Sequence, residues 1–226
     1  MLRAVFFDVG NTLLYAHPSV PEVVRQVLAE EGHIRDLSVI DEYYEDRYRE
    51  DDTFWRSDDE TLGVWVGMYS LLCRQLGIDA DAEQIARRVY DEFGCADRWR
   101  AYDDVRPAME RLSARGIRLG LISNWDGRLV GLVEGLGLSD LLDAVVSSAD
   151  VGLHKPDPRI FELACERLGV APSDAAHVGD HQYADIIGAE AVGMVPVLID
   201  RHGGENPGNE RFVRSLDELE QVLGLE

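Results

Sequence analysis

Positive charge is the scarcest commodity in this sequence: 22 Lys and Arg stand against 43 Asp and Glu, a formal net charge of −21. Such a surface repels nucleic acid and anionic membranes, and no compensating basic cluster interrupts it, so no nucleic-acid or membrane partner is expected. Acidic residues crowd into 41–52 and 58–60 instead. Apolar runs of bilayer-spanning length are also missing, and the apolar start at residues 2–7 is too short for a secretory signal. The three cysteines (Cys73, Cys95, Cys165) are far apart, odd in number and form no CxxC pair. They read as reduced structural cysteines, which rules out a disulfide scaffold and points to the cytoplasm. An anionic ligand would need a local cation or oriented N–H groups to be held here.

Against those absences stands a regular rhythm. Residues 2–7 form a short apolar run ending in Asp8-Val9-Gly10-Asn11-Thr12, the pattern of a buried parallel strand entering a turn. Runs at 117–122, 144–146, 175–178 and 195–199 repeat the theme, ending in Ser123-Asn124, Ser147-Ser148, Gly179-Asp180 and Asp200. Helix-period segments lie between or after them, at 104–115, 127–136, 158–168, 182–191 and 216–223. Alternating strands and helices predict an α/β fold, a doubly wound parallel sheet that binds ligands at its carboxyl edge.

Residues 15–99 break the rhythm. They offer helical stretches at 21–31, 38–49, 59–76 and 82–92 and no convincing strand, which predicts an inserted α-helical unit. The expected division is a core of 1–14 and 100–226 with a helical cap at 15–99. Trp55, Trp65, Tyr69 and Trp99 read as core packing. Residues 203–208 read as a surface loop.

Polar residues at the strand ends carry the chemistry. A carboxylate after an apolar strand, as at Asp8, is costly to bury unless it binds a cation or reacts. Ser123 and Asn124 suit phosphate oxygens, and Lys155 supplies positive charge. Asp180 and Asp185 add hard oxygen ligands of the kind Mg²⁺ prefers. Each alone admits a plainer reading: helix caps for Asp180 and Ser123, an exposed loop lysine for Lys155, a surface position for Asp185. The ordered set is harder to produce by chance.

That set resembles the haloacid dehalogenase superfamily from residue 2 to residue 197. Asp8-Val9-Gly10-Asn11-Thr12-Leu13 matches the first motif except at Gly10, and Leu121-Ile122-Ser123-Asn124 matches the second. Lys155-Pro156-Asp157-Pro158-Arg159-Ile160-Phe161 matches the third. Gly179-Asp180 through Asp185, with Gly188 to Met194, matches the fourth. The wording is nearest the phosphatase-like branch, and residues 15–99 fall where that family inserts its helical cap.

The resemblance implies a Mg²⁺-dependent hydrolase of a small phosphorylated metabolite. Asp8 would be the nucleophile, with Lys155 and Ser123 as its catalytic partners. Asn11, Ser123, Asn124, Lys155 and the 9–11 backbone amides would hold the phosphate. Asp8, the Gly10 carbonyl, Asp180 and Asp185 would hold the metal. At position 10 the family's phosphatases carry an acid–base Asp, worth about 10²–10⁴-fold, which glycine cannot replace. Three alternatives follow: His17 or His181 substitutes, the leaving group needs no proton, or the protein binds phosphate with little turnover. A 2-haloacid dehalogenase fits less well, because the metal pattern of the fourth motif is intact. Phosphonatase chemistry is excluded, since residues 15–99 contain no lysine.

Overall fold

The computed structural model describes residues 1–47 and 58–225. Its elements run β1 (Ala4–Phe7), β2 (Leu14–Ala16), α1 (Val20–Glu30), α2 (Leu37–Arg47), α3 (Asp58–Gln75), α4 (Ala82–Glu92) and β3 (Trp99–Ala101). They continue as α5 (Val105–Ala114), β4 (Arg118–Ser123), α6 (Leu129–Gly135), β5 (Ala144–Ser147), α7 (Ser148–Val151), α8 (Pro158–Leu168) and β6 (Ala175–Gly179). A π-helical turn (Gln182–Ile187) leads into α9 (Gly188–Ala191), followed by β7 (Val195–Ile199), β8 (Phe212–Val213) and α10 (Leu219–Val222).

Six strands form one sheet in the order β5-β4-β1-β6-β7-β8, every pair parallel. β1 is buried along its whole length. Its alternation sends Val5 and Phe7 into one core cluster and Ala4 and Phe6 into the other, so both faces are covered. From β1 the chain builds first toward β4 and β5, then returns to add β6, β7 and β8 on the other side. That reversal opens a crevice beyond the carboxyl end of β1, where open α/β sheets bind ligands. Register brings the strand ends level, with Phe7 opposite both Leu121 and Val178.

Helices α1–α4 bury a separate apolar cluster that includes Val27, Leu28, Leu72, Ile85 and Val89. A capping box between Ser19 and Glu22 starts α1. The expectation of no strand next to this insertion needs correcting at its two ends. β2 and β3 pair antiparallel, Leu14 with Ala101 and Ala16 with Trp99, so the chain leaves and re-enters the helical unit side by side. Three residues per strand are too few for an alternation to register in sequence. The two-residue β8 escapes notice for the same reason. Trp55 and part of the acidic 41–52 stretch lie outside the described residues.

Cys73 and Cys165 are buried, and burial pushes each thiol up to about 11; Cys95 is exposed, contrary to its reading as a structural cysteine. Among the described residues no helix is long and apolar enough to cross a membrane.

Candidate active site

Two strand ends and a loop converge on one carboxylate. Asp8 leaves β1 with its backbone N–H donating to the Val178 carbonyl at 2.8 Å, and its side chain is buried. Ser123, the last residue of β4, donates from Oγ to Asp8 Oδ1 at 2.9 Å. Lys155 arrives from the loop before α8 and donates from Nζ to the same oxygen at 2.6 Å. Two donors on one oxygen fix the carboxylate's orientation.

Lys155 is the chain's single lysine, and it is 2% exposed. Its ammonium also donates to Asp185 Oδ1 at 2.5 Å. Burial alone would push the lysine's pKa down, but the charges of Asp185 and Asp8 outweigh it and raise the value above the usual range. Asp185 is held below the usual carboxylate range in spite of its burial, chiefly by Lys155 and then by His177. Asp180 goes the other way. Burial raises it well above its ordinary value, and the negative charges of Asp8 and Asp185 add to that rise.

Carboxylate oxygens of Asp8, Asp180 and Asp185 lie within 4.8 Å of one another. Three carboxylates around one lysine leave negative charge uncompensated. All the donors are hard oxygens, so the residues fit a divalent cation such as Mg²⁺.

The remaining expected site residues occupy more varied positions. Asn11 sits in the left-handed region (φ 52°), which Asn tolerates, and its N–H donates to the Leu14 carbonyl at 2.8 Å. That amide is therefore engaged within the turn rather than offered to a phosphate, while Asn11 itself lines a cavity of about 300 Å³ with Asp180. Asn124 donates from Nδ2 to the Lys155 carbonyl at 3.0 Å, and its Oδ1 accepts from the Lys155 N–H at 2.8 Å. Its amide thus clamps the lysine loop to the end of β4. His17 is exposed beyond β2. His181, also exposed, accepts from the Ala184 N–H at Nδ1 and so caps the π-helical turn.

That turn places Asp185 directly against β6. A Cβ at Gly179 would stand 2.2 Å from Asp185 Cγ, so only glycine admits the carboxylate here. His181 N–H donates to Asp185 Oδ2 at 3.0 Å. From within β6, His177 Nε2 meets Asp185 Oδ1 at 2.8 Å. The imidazole is fully buried and its pKa is lowered, mainly by burial, which keeps it neutral. A carboxylate can only accept, so Nε2 carries the proton, and Nδ1 is left without a partner. The sequence reading passed over His177; the signal available was one imidazole inside an otherwise apolar strand.

Two more groups escaped it. Asp126, three residues beyond Ser123, is buried and accepts from the hydroxyl of Tyr90 on α4 at 2.9 Å. Arg128 forks onto Asp126, donates to the Tyr90 carbonyl at 2.6 Å and lies over its ring at 3.6 Å. This cluster ties the loop after β4 to the helical unit. Trp125, between Asn124 and Asp126, packs against Trp99 with ring centroids 5.0 Å apart.

Comparison with known proteins agrees with the geometry. A family model described as haloacid dehalogenase-like hydrolase matches residues 2–193. The chain is 31% identical to human haloacid dehalogenase-like hydrolase domain-containing protein 3, over 88% of this chain and 82% of that one. It is 30% identical to (S)-2-haloacid dehalogenase 4A of Burkholderia cepacia, over 98% and 95% of the two chains. A solved HAD phosphatase from Thermococcus onnurineus superposes with a TM-score of 0.68 at 26% identity, covering 99% of this chain and 98% of that one. With its strand-end carboxylates, buried lysine and serine in the places the motifs require, the chain belongs to the haloacid dehalogenase-like hydrolases.

Proposed function

We propose that this hydrolase cleaves small phosphate monoesters through an aspartyl-phosphate on Asp8, with Mg²⁺ as cofactor. The observation that carries the proposal is the Asp8 carboxylate, fixed by Ser123 and Lys155 and facing two further carboxylates. An Asp so placed attacks phosphorus in line; the P–O bond to the leaving group breaks as the new acyl phosphate forms, and water then releases inorganic phosphate and restores Asp8. Lys155 Nζ keeps a third proton for a phosphoryl oxygen, and Ser123 Oγ supplies a second donor once its hydroxyl turns from Asp8. Asp8, Asp180, Asp185 and the Gly10 carbonyl would hold the metal. Bound Mg²⁺ would offset the phosphate's negative charge, which an acidic protein with one buried lysine does little to neutralise. The helical unit of residues 15–99 acts as a cap that limits water and selects the leaving group.

A metal-free dehalogenase would gain nothing from three converging carboxylates, which favours the phosphatase reading. Hydrolysis of p-nitrophenyl phosphate that requires Mg²⁺ and stops in EDTA is the expected result. Halide release from 2-chloropropionate in EDTA, with no phosphatase activity, would overturn it.

His177 supports the same site from behind. Its N–H is one of three donors that hold Asp185, and partners of this kind typically carry about 10–100-fold in metal affinity or activity. His177→Phe keeps the ring's volume beside Phe161, whose ring meets it edge-on at 5.2 Å. The variant should fold normally but need about 10–100-fold more Mg²⁺ for half-maximal rate, while His177→Gln, which keeps an N–H, loses less. A Mg²⁺ titration by calorimetry, run beside the rate assay, checks this.

A further inference from the structure

The loop between β4 and α6 begins at the reacting centre and ends on the helical unit. Ser123 donates to Asp8, and Asn124 grips both the N–H and the carbonyl of Lys155. The Trp125 carbonyl accepts from the Ala149 N–H and the Ser148 hydroxyl, each at 3.2 Å. Its ring stands 3.6 Å from where a Cβ on Gly10 would lie, so the loop also flanks the turn after Asp8. Asp126 is buried, and a buried carboxylate must be paired. It accepts from the Arg128 N–H and Nε at 2.9 Å, from Arg128 Nη2 at 2.7 Å and from the Tyr90 hydroxyl at 2.9 Å. Arg128 is local and compensates the charge by itself; the Tyr90 bond adds an anchor on α4.

The contact extends along the path by which the chain returns to the sheet. Arg128 donates to the Tyr90 carbonyl at 2.6 Å and covers its ring at 3.6 Å. A Cβ on Gly94 would stand 3.0 Å from Arg128 Cδ, and one on Gly135 would stand 2.6 Å from the Ala96 Cβ. Trp99 packs on Trp125. Residues 90–99 thus lie against 125–135 at contact distance, and the loop that holds Ser123 and Lys155 has α4 as its outer support.

We propose that Tyr90, Asp126 and Arg128 are positioning residues for the reaction at Asp8: α4, docked through them, sets the loop from which Ser123 and Lys155 reach the phosphoryl group. The inference rests on the reading of Asp8 as nucleophile and deepens it, naming how the helical unit acts on the site. The three residues act through Asn124. One residue separates Asp126 from the amide that grips Lys155, so a displaced Asp126 shifts the lysine with it.

Tyr90→Phe deletes one hydroxyl while keeping the ring under Arg128 and the carbonyl that Arg128 binds. With p-nitrophenyl phosphate and Mg²⁺, it should lower kcat/KM about tenfold, the worth of one hydrogen bond to a charged group. Asp126→Asn should lower it about 10²-fold, the cost of misplacing groups by about 1 Å. Arg128→Lys, which keeps the charge but not the fork, should lose about as much as Tyr90→Phe. Inorganic phosphate needs Ser123 and Lys155 but no leaving group, so its Ki should rise in all three variants, in the same order. That readout separates positioning from stability: loss of folded enzyme lowers the apparent kcat and leaves Ki and KM where they were. Wild-type Ki in the three variants overturns the inference, whether or not the rate falls, and leaves Asp8 in its role. A wild type that neither hydrolyses a phosphate ester nor binds inorganic phosphate would remove both readings together.

Discussion

Asp8→Asn should abolish phosphatase activity, by about 10⁴-fold or more, with the fold intact. Asn keeps the shape of the side chain and a carbonyl oxygen to accept from Ser123 and Lys155, but its amide is no nucleophile, so the covalent step has no substitute. A loss of this size corresponds to about 5.5 kcal/mol of transition-state stabilisation. Asp8→Glu should fail nearly as badly: one added methylene moves the attacking oxygen by about 1 Å, and misplacement on that scale costs about 10²-fold. Because Asp180 and Asp185 remain, Mg²⁺ binding should weaken without vanishing. Steady-state hydrolysis and calorimetric Mg²⁺ titration on the same preparation separate lost chemistry from lost metal. A variant that keeps more than about a tenth of wild-type turnover would remove Asp8 from its assigned role.

The parts of this site that were legible in sequence share a physical cause. β1, β4, β5, β6 and β7 are covered on both faces, so each appears as an apolar run, and the polar residue that stops each run is conspicuous. Asp8, Ser123 and Asp180 were visible for that reason, and Lys155 because an acidic chain has so few cations. What stayed hidden depends on contacts between residues far apart in the chain. That the Asn124 amide also holds the backbone of Lys155, 31 residues away, has no local signal. The Tyr90–Asp126 bond joins a helix of the insertion to a core loop 36 residues on, and no local pattern predicts it. Gly10 was legible as an absence; that the Trp125 indole stands beside it required the fold. The β2–β3 hairpin was lost for a different reason, since its strands are shorter than any period.

Removing the only lysine should be the most damaging change to stability in the site. Lys155→Met leaves Asp8 and Asp185 buried without their shared cation, and breaking a buried pair in this way costs about 3–5 kcal/mol. For a chain of this size each kcal/mol moves Tm by about 2–4 °C, so a fall of roughly 6–20 °C is expected in EDTA. The pH dependence carries a sign that can be worked out. In wild type Asp185 is held below its unfolded value near 3.8, so its contribution is present above that pH and is lost only as acid reaches the lower, folded value. Lys155 is raised above 10.5, so its contribution is complete below that pH and is lost as pH climbs through the folded value. Wild-type stability from this pair should therefore be flat from about pH 5 to pH 9. Without the lysine, burial and mutual repulsion push the carboxyls upward, and a proton takes the cation's place. The variant should then be more stable at pH 5 than at pH 8, the reverse of what an ordinary lost surface contact would give. Mg²⁺ should recover more of the variant's Tm than it adds to wild type, because it would restore positive charge among the same three carboxylates. Thermal melts at pH 5 and pH 8, with EDTA and with Mg²⁺, test each step; a variant whose Tm drops equally at both pH values and ignores Mg²⁺ would show that Lys155 serves packing and not the charge balance of the site.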